Sequence, residues 1–185
     1  MGSLYATLID LLFFIPYTVI LLRIAFPLVR APFSDPVVGW VYTVTTPVLR
    51  PLERYIPRWR NLSLAAVVLL WLVASLEFAL LSLVLAPLAW LIGGFGLAAN
   101  FAIGFLIVMI VLYTLFSLFE PRTGSSVVFL TQRIAAPLCG LYRRFVPTIG
   151  PFDLSPMLVI LTLLILRILV AMLVQTLLRA VLSMG

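Results

Sequence analysis

The chain has 185 residues, of which 64% are hydrophobic and 10% charged, where a soluble domain carries about 25% charged residues. That balance describes an integral membrane protein. All twelve basic residues are Arg, the net charge is +6, His is absent and there is one Cys, which excludes a His-based catalyst, a His/Cys metal cage and a disulfide framework within one chain.

The first fourteen residues, MGSLYATLIDLLFF, have no basic region, and no small-residue cleavage site follows. They read as the start of a retained membrane helix, and Ala at position 6 breaks the myristoylation pattern. Four apolar segments reach the roughly 20 residues a spanning helix needs, at 4–29, 63–92, 97–119 and 155–184. Pro16 and Pro87 are predicted kinks. The GGFG stretch at 93–96 is predicted to turn the chain between the second and third spans and to let helices approach closely.

The first and second spans are joined by a long polar segment, as are the third and fourth. With four spans both segments lie on one side. They carry Arg30, Arg50, Arg54, Arg58, Arg60, Arg122, Arg133, Arg143 and Arg144, whereas Arg179 is the one Arg near the opposite boundary. The positive-inside rule places both segments in the cytoplasm and both termini outside. Within 34–58, Val37, Val41, Val44, Val48, Leu52 and Tyr55 recur at helical spacing. Within 124–148, Val127, Leu130, Ile134, Leu138, Leu141 and Phe145 do the same. Each suits an amphipathic helix in the headgroup region with arginines reaching phosphates. Pro47 and Pro137 are predicted to break each into two pieces with an elbow, Thr46 capping the second piece of the first connection. Pro57 and Pro147 end the segments.

Sliding the chain against itself by 90 residues superposes Pro47, Arg54 and Pro57 on Pro137, Arg144 and Pro147 in a shared P-x6-R-x2-P frame. The predicted fold class is therefore an all-α membrane protein of two parallel repeats, 1–92 and 93–185, related by a pseudo-two-fold axis along the membrane normal. The offset also sets Asp10 over Asn100 and Glu77 over Arg167. Glu77 and Arg167 fall near mid-membrane, where a charge is costly, so they are expected to pair. Asp10, Asn100, Gln175 and Arg179 fall at similar depths as a polar layer, either hydrogen-bonding glue between helices or an ion path.

Ahead of the fourth span stands TIGPFDLSPM. Ser155 and Pro156 suit the N-cap and first helical position, and Asp153 is placed both at a helix N-terminus and within reach of Arg143 or Arg144. Cys139 is either a small apolar filler or a lipidated juxtamembrane thiol. No Gly-rich phosphate loop, nucleophile elbow or metal-ligand cluster appears; no enzyme activity and no cofactor are expected. Basic residues are too few to make nucleic acid the main ligand.

The segment PLCGLYRRFVPTIGPFDLSPM resembles the signature R-R-x-x-P-x-x-G-x-x-D-x-S-P of the YggT (YlmG) family of integral membrane proteins, on Arg143, Arg144, Pro147, Gly150, Asp153, Ser155 and Pro156. The first repeat departs from that signature. The resemblance implies a small bacterial inner-membrane protein without established enzyme activity. It further implies links to osmotic-stress tolerance and ion uptake, or to cell division and membrane assembly; plastid relatives are tied to b-type cytochrome maturation and nucleoid distribution. The expected function is a membrane scaffold or assembly factor whose Arg50, Arg54, Arg133, Arg143 and Arg144, oriented by Asp153, hold anionic lipid or a protein partner. The alternative is a small channel or ion-transport accessory using Glu77, Arg167, Asp10 and Asn100, for which so thin a chain would need a homo-oligomer.

Overall fold

A computed structural model describes residues 2–33, 35–57, 59–82, 86–119, 126–143 and 153–183. Among them lie six helices: α1 (Gly2–Leu28), α2 (Pro36–Glu53), α3 (Leu64–Ser82), α4 (Pro87–Phe119), α5 (Ser126–Tyr142) and α6 (Ser155–Ser183). The helices α1, α3, α4 and α6 are long and apolar enough to cross a membrane. The chain is a multi-pass, all-α membrane protein. Connectivity through four spans puts α2 and α5 on one side of the bundle and the α3–α4 connection on the other.

Two local expectations are corrected. The chain does not turn at GGFG, which lies inside α4; Pro87 opens that helix, where its missing N–H costs nothing. The glycines serve close approach instead. A Cβ on Gly93 would stand 2.4 Å from the Phe78 ring, one on Gly94 2.4 Å from Ser75 Cα, and one on Gly96 2.9 Å from Val174. They let α4 press against α3 on one side and α6 on the other, the small-residue device of membrane helix packing. Trp71 Nε1 donates to the Leu91 carbonyl at 2.9 Å across the α3–α4 contact.

The second correction concerns the elbows. Helix α2 runs unbroken through Pro47 and Pro51, and α5 through Pro137. These prolines sit on exposed faces, where water or headgroups can meet the carbonyls they orphan, and the opposite stripe keeps the helix packed through them. In α2 that stripe is Val38, Val41, Thr45 and Leu49, so Val44 and Val48 of the expected stripe face outward with Trp40. Thr46 is no cap; its hydroxyl donates to the Tyr42 carbonyl within the helix. The true start of α2 is Asp35, whose carboxylate accepts from the Val37 amide at 2.9 Å ahead of Pro36. Pro16 likewise stands inside a continuous α1.

Packing inside the halves corresponds. Helix α1 lies on α3 as α4 lies on α6, and α2 and α5 each brace their own pair. Between the halves it does not correspond. Helix α3 packs extensively on α4, whereas among the described residues α6 packs on α1 slightly at most. A groove stands where a two-fold bundle would close.

Candidate functional site

Two polar junctions tie each amphipathic helix to its pair of spans. In the first, Arg23 on α1 is 4% exposed. Its Nη2 lies 3.7 Å from Glu53 Oε1 at the end of α2, and its guanidinium stacks 3.5 Å from the centroid of the Tyr42 ring, a cation–π contact that partly offsets burial of the charge. Ser63 Oγ is 3.5 Å from the same glutamate oxygen and 3.4 Å from the Ala66 amide, so one hydroxyl caps α3 and joins the ion pair.

The second junction uses the same three stations. Arg143, just past α5, donates from Nε to Asp153 Oδ2 at 2.8 Å, with Nη2 2.7 Å from the same oxygen. Nη2 also donates to the Tyr113 hydroxyl on α4 at 3.0 Å. Asp153 Oδ1 accepts from the Ser155 amide at 2.9 Å. Asp153 therefore caps α6, correcting the cap assigned to Ser155, which contributes its backbone N–H. Burial pushes the Asp153 carboxyl upward, but the hydrogen bonds from Ser155 and Arg143 and the guanidinium charge outweigh it and hold the group below its usual range. The hydrogen bond to Asp153 raises the Arg143 pKa in turn. Cys139 is buried in the α4–α5–α6 core, which fits the filler reading and not lipidation; burial, then the Asp153 charge, push its thiol up.

The intramembrane residues take different partners from those expected. Glu77, 3% exposed, accepts from the Tyr17 hydroxyl, and Arg167 Nε donates to Asn100 Oδ1. The direct Glu77–Arg167 pair is not formed. Both nevertheless line one cavity of about 520 Å³, formed mainly by α1 and α4, together with Asp10 and Asn100. Gln175 borders an adjoining cavity of about 420 Å³ with Asn100 and Arg167. Arg179 is exposed on the last turns of α6.

The remaining sites scatter over the face carrying α2 and α5. Arg50 and Arg54 are exposed at the end of α2. Arg133 on α5 donates to the Val29 carbonyl at 3.1 Å and stacks over Phe129, tying the second half to the end of α1. Pro57 follows α2, and Pro156 is buried in the first turn of α6. Arg144, Pro147 and Gly150 lie outside the described residues. Sequence reasoning missed Arg23, Glu53, Tyr17 and Tyr113. The signal was present: the 90-residue offset sets Arg23, Glu53 and Ser63 over Tyr113, Arg143 and Asp153, but a match by identity passes over positions that exchange chemistry.

Compared with known proteins, the sequence matches CCB3/YggT over residues 2–84 and again over 92–174, two stretches 90 residues apart. The chain belongs to the CCB3/YggT family. It is 29% identical over 175 residues to the uncharacterized protein YggT of Escherichia coli K12, covering 93% of this chain and 89% of that one. It is also 29% identical over 165 residues to an uncharacterized protein in the proC 3′ region of Vibrio alginolyticus, covering 84% of each. A Haemophilus influenzae relative, also uncharacterized, is 29% identical over 161 residues, covering 80% of this chain and 81% of its own. No solved structure matches.

Proposed function

We propose that this family member is a non-enzymatic scaffold or assembly factor of the bacterial inner membrane, its α2/α5 side facing the cytoplasm. The observation that carries this is the placement of Arg30, Arg50, Arg54, Arg60, Arg133 and Arg143, all exposed on that side. Guanidinium groups at a membrane surface attract anionic headgroups and acidic protein segments. The resemblance to relatives linked with osmotic-stress tolerance, cell division and membrane assembly supports the same reading.

The test is photo-crosslinking in cells from positions 133 and 143, with identification of what is captured. Charge reversal of Arg50 and Arg54 removes the crosslinks while the bundle stays folded. Crosslinks unchanged by reversal overturn the scaffold reading. The groove supports a second reading, a small channel, because Asp10, Glu77, Asn100 and Arg167 share one cavity. Ion flux in liposomes that vanishes in Glu77→Gln supports it, and silent liposomes refute it.

A further inference from the structure

We propose that a cleft at the first junction binds a phosphate-bearing anion, either an anionic phospholipid headgroup or a soluble phosphate. The cleft has a volume of about 360 Å³ and is lined by Arg23, Arg30, Arg60, Asn61 and Glu53 among others. Among the described residues that line it, three guanidiniums against one carboxylate leave a surplus of two positive charges. Arg23 is a fixed cation at the base, 4% exposed and held by Glu53 and Tyr42. Arg30 and Arg60 are exposed on the walls, and Asn61 Nδ2 joins those walls by donating to the Pro27 carbonyl at 3.2 Å.

The backbone adds a second observation. Arg30 and Arg60 both have φ 52°, and no other non-glycine residue described has a positive φ. Chain reversal alone is served better there by Gly or Asn. Two arginines in that state on facing walls are explained by what their side chains do.

Phosphate is the chemistry that fits. Guanidinium forks match its oxygens in paired hydrogen bonds. The cleft lies at the last turn of α1 and just ahead of α3, the edge of two spans, which is the depth of lipid phosphates. Phe26, Pro27 and Phe33 give it an apolar flank suited to an amphiphile. The second half does not repeat these cations in sequence, since Arg23, Arg30 and Arg60 correspond to Tyr113, Glu120 and Gly150, and the cavity beside Tyr113 is lined by Arg143 with Asp153. The inference deepens the scaffold reading and rests on it for the anionic character of the surface.

The experiment places the protein in phosphatidylcholine nanodiscs doped with pyrene-labelled phosphatidic acid. Energy transfer from tryptophan reports the preference for the anionic lipid. Three forms are compared: wild type, the double variant Arg30→Gly/Arg60→Gly, and the double variant Arg50→Gln/Arg133→Gln. Glycine suits the backbone at both positions, so the first variant keeps the fold, checked by resistance to SDS. Its lipid preference falls about tenfold, the worth of a charged hydrogen bond or two, while the second variant, which thins only the diffuse surface charge, loses clearly less. Inorganic phosphate that displaces the lipid assigns the site to a soluble phosphate; failure to displace assigns it to the headgroup. Equal losses in the two variants overturn the cleft and leave the scaffold reading standing. No anionic preference in wild type overturns both the cleft and the lipid arm of that reading.

Discussion

At the first junction a buried arginine on the crossing helix reaches a glutamate at the end of the amphipathic helix, and a serine completes the tie. At the second, a tyrosine stands where the arginine was, an arginine replaces the glutamate and an aspartate replaces the serine. The three stations are equivalent under the 90-residue offset; the charges are not. The difference separates architecture from chemistry. What both halves need is a polar clasp joining the end of the amphipathic helix to the two spans, and either charge order supplies it. What only the first half gains is a buried cation with further arginines beside it, and that is where the anion cleft lies. The second half leaves its arginine half exposed, with 50% of the side chain accessible, available to a partner.

Burial sets the scale on which the clasps can be broken. The largest effect is expected at Arg23. Arg23→Leu removes the buried cation beside Glu53 and destabilises the bundle by about 3 kcal/mol, measured by SDS-induced unfolding. If the clasp is architectural, the triple exchange Arg23→Tyr/Glu53→Arg/Ser63→Asp, which copies the second junction into the first, recovers most of that loss. A triple variant as unstable as Arg23→Leu would show that the two junctions are not interchangeable.

The contact between the halves comes next. Gly94→Leu forces a side chain into the Ser75 backbone and costs about 1–3 kcal/mol. The equivalent position in the first half is already Leu4, 69% exposed, so Leu4→Gly changes stability little in the same assay. Similar effects at the two positions would contradict the one-sided α3–α4 packing.

Arg143→Gln is expected to cost no more than about 1 kcal/mol, because the pair is partly solvated. A loss matching that of Arg23→Leu would erase the contrast between the clasps. The smallest effect is in pH. A carboxyl whose folded pKa lies below its unfolded value of about 3.9 contributes fully above that value and loses its contribution as pH falls through the folded pKa. The second clasp therefore holds at neutral pH and opens only in acid. Carbon-13 NMR titration of Asp153 should give a midpoint below the usual aspartate range, moving upward in Arg143→Gln.

Much of this fold is legible along the chain. Composition requires a membrane, run length sets four spans, and the 90-residue coincidence of Pro47, Arg54 and Pro57 with Pro137, Arg144 and Pro147 reveals the repeat. Those are properties of spacing and composition, and spacing decides which residues share a face or a depth. It does not decide whose face lies opposite. Glu77 and Arg167 line one cavity, yet their partners, Tyr17 and Asn100, lie 60 and 67 residues away and were chosen by how α1, α3, α4 and α6 pack. The position of the α3–α4 connection and the continuity of α2 and α5 through their prolines were likewise settled by packing. A proline or glycine only removes a local constraint, and whether the chain bends there depends on what the neighbouring helix offers in return.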